Sequence, residues 1–240
     1  MTDAEYFDSK SNYVLCRRDE NGEYIEKTYR RKLRNYDVEW PESRAFVEAF
    51  FLGYLKSKQT RHVSVPQIYQ YIPPGCIQME YCKGTPLSDA PANDLMDIDM
   101  WTDLFGFLQS LSDLPYAFVQ EQTNGAFQKQ EEIFRCMIRW KMQGRLDVPY
   151  PEQNCVCLGD VSVNNILVSG KRFYLLDFEC AHWGYTGYDI GQLLGMLNAT
   201  MKNRDVLEVA KKAFQKTVLE PSVYENCLYW KKRFCDYYQK

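Results

Sequence analysis

Asp160, Asn165 and Asp177 are the side chains whose types and spacing suit a divalent cation. They lie in one run, Cys157 to Gly191, which reads CLGDVSVNNILVSGKRFYLLDFECAHWGYTGYDIG. Asp160 and Asn165 stand as D-x-x-x-x-N, and Asp177 follows in Leu-Leu-Asp-Phe-Glu. Between them, Ile166–Val168 and Phe173–Leu176 are rich in β-formers, and Ser169, Gly170 and Lys171 form the turn, so an antiparallel hairpin is expected. With the turn near Gly170, Asn165 falls opposite Leu176 or Asp177, and both polar side chains leave the same end of the hairpin. Asp160 arrives beside them on the feeding loop. Two carboxylates and an amide at one mouth make a hard-oxygen site, of the kind magnesium takes when phosphates supply further ligands. A lone Asp at a strand end is more often a cap or turn residue; the joint spacing of all these pieces around a hairpin is what carries the reading.

The same run resembles the catalytic loop and metal-binding segment of the protein-kinase-like fold. More narrowly, D-F-E in place of D-F-G, followed by A-x-x-G-x-x-G-[YF]-D-I-G, is similar to the aminoglycoside phosphotransferase and choline kinase group, and His182 to Gly191 also resembles its methylthioribose kinases. The resemblance implies that Asp160 is the catalytic base, that Asn165 and Asp177 are magnesium ligands, and that Asp189 is the helix-start carboxylate bracing the catalytic loop. One departure is visible: the group has His two residues before the base, and this chain has Leu158. The implied fold is α+β and two-lobed: a small β-rich N-lobe with one helix (residues 1–80), a hinge (81–87) and a larger, mainly helical C-lobe (88–240).

Other elements must position this cluster. In the first eighty residues, Ala4–Phe7, Tyr13–Arg17 and Glu23–Tyr29 are strand candidates, with an Asn-Gly hairpin signal at Asn21-Gly22. Acidic Asp19–Glu23 would repel a triphosphate, which leaves Ser9, Lys10, Ser11 and Asn12 as the loop over the phosphates. Ile25, Lys27 and Tyr29 share a strand face. An apolar residue two before a Lys resembles the kinase strand in which the first roofs adenine and the second grips phosphates; an exposed strand lysine is the bland alternative, with Lys32 the substitute if the register slips. Pro41 and Glu42 open a helix expected to pack Phe46, Ala49, Phe50 and Gly53 on the sheet. Its Glu48 resembles the partner of the strand lysine, or is an exposed partner for Arg44. Val63–Tyr71 and Cys76–Met79 read as further strands. Met79 to Leu87 resembles the hinge, with the Glu80 C=O and Cys82 N–H directed at adenine.

The remainder reads as helical: about Asp99–Ser112, Lys129–Gln143 with Ile133, Phe134, Met137 and Ile138 buried, then Gly191–Met201, Arg204–Lys216 and Pro221–Tyr238. Leu114–Phe127 reads as a long loop. Asp89, Asp94, Asp97, Asp99 and Asp103 match what helix N-termini select, with an acidic wall for a cationic substrate as the minor alternative. Trp101, Trp140, Trp183, Tyr185 and Tyr188 are candidates for a cation cage, although core packing is the commoner use. For His182 and His62 a structural role is expected.

At 240 residues the chain is long enough for a sizeable core. Its net charge of −3 gives no nucleic-acid footprint; the one basic run is Arg30, Arg31, Lys32 and Arg34. Nine scattered cysteines, with only Cys155 and Cys157 as C-x-C, fit reduced thiols in a cytoplasmic protein. Met1–Asp8 has no apolar core of a secretory signal, and Ala45–Leu55, interrupted by Glu48 and Gly53, is no membrane span. The expectation is therefore an ATP- and magnesium-dependent phosphotransferase acting on a small-molecule hydroxyl, with no nucleic-acid or membrane partner. A protein kinase is the second choice, disfavoured because only the eleven residues 178–188 separate Asp177 from Asp189 and no A-P-E follows. A nucleotide-binding pseudokinase is the non-enzymatic alternative.

Overall fold

The computed structural model of the chain describes residues 5–7, 12–30, 41–130 and 153–238. Ser9, Lys10, Ser11, Lys32, Trp140 and most of the helix expected over 129–143 lie outside the described residues.

Strands β1 (Glu5–Phe7), β2 (Asn12–Asp19) and β3 (Gly22–Tyr29) run antiparallel, and β6 (Cys76–Glu80) and β5 (Ile68–Ile72) complete the sheet in the order β1-β2-β3-β6-β5. The β2–β3 turn closes at Gly22, whose φ of 123° lies outside the range open to other residues. The Asn21 N–H donates to Asp19 Oδ1 at 2.7 Å. In this register Lys27 faces Val14 and Ile25 faces Cys16. Ile25, Lys27 and Tyr29 are buried together on the inner face, as period-two alternation dictates.

Helix α1 (Pro41–Lys56) packs on that face, but not by the expected stripe. Its buried side is Arg44, Ala45, Glu48, Phe51, Leu52 and Leu55, whereas Gly53 is exposed and Phe46, Ala49 and Phe50 are half-buried. The reason is electrostatic: α1 turns two charged residues inward because buried partners await them, and a reading by apolar periodicity assigns charges to solvent.

The stretch expected as one strand, Val63–Tyr71, is two. After β4 (Val63–Ser64), Pro66 interrupts the run before β5. β4 leaves the N-terminal sheet and pairs in parallel with β10 (Phe173–Leu175), in a second sheet ordered β4-β10-β9-β7, where β9 is Ile166–Val168 and β7 is Thr85–Pro86. Arg172 ties this crossing down, donating to Ser64 Oγ at 3.1 Å and to Arg61 O at 3.0 Å.

The C-terminal lobe is mainly helical. Helix α2 (Ile98–Ser110) is capped by Asp97, which accepts from the Asp99 N–H at 3.1 Å. The segment expected as a loop carries α3 (Tyr116–Gln122), started by Pro115 and anchored by buried Val119. A pair, β8 (Cys155–Cys157) and β11 (His182–Gly184), flanks the loop that carries Asp160. Helices α4 (Tyr188–Thr200), α5 (Arg204–Thr217) and α6 (Pro221–Tyr238) close the lobe. α4 and α6 approach closely because Gly191 and Gly195 face α6: an added Cβ would stand 2.4 Å from the Trp230 Cβ and 2.5 Å from the Phe234 Cβ. The lobes meet through one continuous apolar core running from Ile25 and Phe51 to Leu175 and Leu193.

Candidate active site

The β9–β10 hairpin forms with Ile166 opposite Leu175, and the Leu176 N–H donates to Asn165 O at 2.8 Å. Asn165 and Asp177 therefore leave the hairpin at one end. Asp160, Asn165 and Asp177 line a common cavity with Leu158 and Phe178. Asn165 Nδ2 donates to the Asp160 carbonyl at 3.0 Å and approaches Asp160 Oδ2 at 3.3 Å. Asp160 Oδ1 accepts from Gln192 Nε2 at 3.0 Å.

Main-chain constraints fix the loop. Asp189, in the first turn of α4, accepts from the N–H groups of Leu158 at 2.6 Å and Gly159 at 3.0 Å. These bonds use backbone, so Leu158 in place of His leaves the brace intact. Gly159 has φ 86°, and an added Cβ would meet Cys180 O at 2.2 Å, so no larger residue fits. Asp177 holds φ 66°, a left-handed conformation that a non-glycine residue adopts at a cost of about 1 kcal/mol or more.

Across the cleft, Lys27 Nζ lies 2.7 Å from Glu48 Oε2 and 2.6 Å from Asp177 Oδ1. Glu48 thus faces Lys27, not Arg44, and also accepts from the Tyr29 hydroxyl. Arg44 pairs at 3.0 Å with Glu179, the last residue of Asp-Phe-Glu. Glu179 further accepts from Asn12 Nδ2 at 3.0 Å, and its carbonyl from Gln130 Nε2 at 3.0 Å. Glu48, Asp177 and Glu179 converge closely enough to offer three oxygens to one cation.

Among the described residues, three carboxylates meet two cations in this buried group. Burial pushes Glu179 up to about 7, with Asp177 and Glu48 adding to it and Lys27 and Arg44 opposing. Burial also raises Glu48, despite Lys27. For Lys27 burial acts downward, but Asp177, Glu48 and Glu179 together outweigh it and hold the ammonium charged.

Of the residues expected around adenine, Ile25 and Met79 pair across β3 and β6 and are buried. Glu80 ends β6; its N–H donates to Gln67 O at 2.8 Å, and its carboxylate accepts from Gln67 N at 3.0 Å. Cys82 is buried, which pushes its thiol up to about 12. Lys83, in the segment expected as the hinge, bridges to Glu23 in the β2–β3 turn region at 2.9 Å. In the acidic approach to α2, Asp97 caps the helix and Asp103 meets His62 Nδ1 at 3.0 Å. His182 Nδ1 bonds Cys180 O at 2.8 Å. Trp101, Tyr185 and Tyr188 are buried in packing, and only Trp183 of the described cage candidates is half-buried, edge-on to Tyr116.

Asn12, expected in the loop over the phosphates, instead starts β2, is buried and bonds Glu179, while Tyr29, Arg44, Glu179 and Gln192 are site residues that their types alone do not single out. For two of them a spacing is the available signal: Glu179 lies two residues from Asp177, and Gln192 three from Asp189 on one helix face.

The model of the phosphotransferase enzyme family matches residues 5–221. The chain belongs to that family. Solved structures share its fold at low identity. An amicoumacin kinase, hAmiN, in complex with AMP-PNP, Ca2+ and Ami is 14% identical with a TM-score of 0.63, covering 97% of this chain and 79% of that one. The choline kinase of Cryptosporidium parvum Iowa II is 14% identical with a TM-score of 0.55, covering 99% of this phosphotransferase and 88% of that chain. The streptomycin-ATP-APH(2")-IIa ternary complex is 15% identical with a TM-score of 0.53, covering 95% and 83%. A probable bifunctional tRNA threonylcarbamoyladenosine biosynthesis protein of Methanosarcina barkeri is 34% identical over 67 residues, 26% of this chain, and the match spans only 12% of that protein's length.

Proposed function

We propose that this phosphotransferase moves the γ-phosphate of ATP to a hydroxyl group of a small molecule with magnesium as its metal. The carrying observation is the convergence of Asp160, Asn165 and Asp177 on one cavity, with Lys27 reaching Asp177 from the opposite lobe. The donor set fits magnesium: carboxylate and amide oxygens, with the Asp177 side chain 34% exposed toward solvent. Asn165 and Asp177 would hold the ion, which when bound neutralises charge on the phosphoryl oxygens.

The chain's own residues supply alignment. Asp160 orients the acceptor hydroxyl and takes its proton late, as a loose phosphoryl transition state permits. Lys27, held by Glu48, turns to the phosphates. Ile25 and Met79 flank adenine, and the Glu80 C=O and Cys82 N–H read its edge. Ser11, outside the described residues, belongs to the loop over the phosphates. Asp189 braces the catalytic loop.

A small acceptor suits the short path from Asp177 to Asp189, which β11 and the start of α4 fill. The structural neighbours named for choline, amicoumacin and streptomycin set the classes to try first: amino alcohols, aminoglycosides and sugars. A cytoplasmic setting is supported by the eight described cysteines, which are thiols rather than disulfides. Among the described residues no helix is long and apolar enough to cross a membrane.

The test is ATP consumption across such an acceptor panel, with and without magnesium. Asp160→Ala should abolish turnover and keep ATP binding. Undiminished turnover in that variant, or no rise in melting temperature on adding magnesium and ATP, would sink the reading.

A further inference from the structure

Helix α4 grips the catalytic loop twice. Asp189 and Gln192 are three residues apart, so their side chains leave the same face. Asp189 holds the main chain at Leu158 and Gly159, and Gln192 Nε2 donates to Oδ1 of the next residue, Asp160, at 3.0 Å. Asn165 Nδ2 meets the other carboxylate oxygen at 3.3 Å, and two amides together set the plane of the carboxylate.

Gln192 is fully buried, and its Oε1 has no hydrogen-bond partner. A buried carbonyl without a donor is unfavourable. Methionine has nearly the same length and would fill the space without that penalty, so packing alone gives no account of an amide here. The N–H donated to Asp160 does. The reverse orientation would aim Oε1 at the Asp160 carboxylate and is excluded by repulsion.

We propose that Gln192 is a positioning residue for phosphoryl transfer: it locks the orientation of the Asp160 carboxylate, so that the lone pair meant for the acceptor hydroxyl points into the cavity. Asn165 alone is a poor lock, because its side chain is the one assigned to the metal. The inference rests on the reading of Asp160 as the group that meets the acceptor.

The experiment compares the parent chain with Gln192→Met, Gln192→Asn and Asp160→Asn, using magnesium, ATP and the acceptor that scores highest in the panel. Gln192→Met should lose about ten- to a hundredfold in kcat, the scale set by small misplacements of a reacting group, while the KM for ATP and the melting temperature stay near parental. Gln192→Asn keeps the amide on a shorter stem and should fall between. A Gln192→Met enzyme within twofold of the parent in kcat overturns the inference. So does a loss of kcat, ATP affinity and melting temperature in parallel in both Gln192 variants, which marks a purely structural role. Crystal structures of parent and Gln192→Met give a readout independent of any acceptor: a rotated Asp160 carboxylate supports the lock, and an unmoved one overturns it. If Asp160→Asn still turns over, the proposed function itself fails. If Asp160→Asn is dead and Gln192→Met is normal, only the role of Gln192 falls.

Discussion

Arg44 and Glu179 form an ion pair at 3.0 Å with 0% and 3% of their side chains exposed. It joins helix α1 to the segment immediately after Asp177, so the helix that holds Lys27 through Glu48 is itself held by the Asp-Phe-Glu segment. Removing one partner leaves a buried charge. Arg44→Met should lower unfolding free energy by about 3–5 kcal/mol, and the double change with Glu179→Leu should cost less than the sum of the two. Denaturant titrations of the full cycle measure this; simple additivity would show that the pair is not coupled.

The same carboxylate sets a pH dependence. Its folded value of about 7 lies above the ordinary 4.5, so the native state binds its proton more tightly than the unfolded chain does. The contribution is fully present below the unfolded value and is lost as pH rises through 7, a change on the order of 3 kcal/mol. Melting temperature should fall between about pH 5 and pH 8, and Glu179→Gln should flatten that slope although it is less stable overall. An unchanged slope in the variant would assign the titration to another group.

How much of this was legible in advance depends on what each residue answers to. The hairpin, the Asn165–Leu176 register and the three C-terminal helices follow from local signals, turn residues and caps, and were readable. The face of α1 was not, since Arg44 and Glu48 are buried by partners 135 and 21 residues away along the chain. The split at Pro66 and the transfer of β4 to the second sheet likewise depend on a distant strand. Leu114–Phe127 reads as loop because seven residues of α3 show too little periodicity to register.

Lys27→Met should abolish most turnover, about a hundredfold or more, by removing the cation proposed to align the phosphates. Lys27→Arg should not restore it, because a planar fork does not replace a point charge between Glu48 and Asp177. Steady-state kinetics with calorimetric ATP titration separates lost alignment from lost affinity. Parental kcat in either variant would remove Lys27 from the site.

Asp177→Asn takes one negative charge from a group in which the described residues supply three carboxylates and two cations. The nucleotide-free variant should melt at or above the parental temperature, while the rise produced by magnesium with ATP disappears. Differential scanning calorimetry with and without the metal nucleotide tests both halves; a preserved rise would move the metal elsewhere.

Gly191→Ala forces a methyl group toward the Trp230 Cβ and Cys227 O, at 2.4 and 2.8 Å. Overpacking of this kind should destabilise the chain by about 1–3 kcal/mol and push α6 outward. Chemical denaturation measures the loss, and a neutral result would mean that the α4–α6 contact yields without strain.

The parallel pairing of Val63–Ser64 with Phe173–Tyr174 changes how the cleft is able to move. Because the chain just beyond the end of α1 is stitched to the opposite lobe, by Arg172 and by the Phe173 N–H on His62 O at 2.7 Å, that end is a fulcrum. Parting the lobes about that fulcrum would require the Arg44–Glu179 and Lys27–Asp177 pairs to break, with the widest travel at those residues and almost none at Leu55.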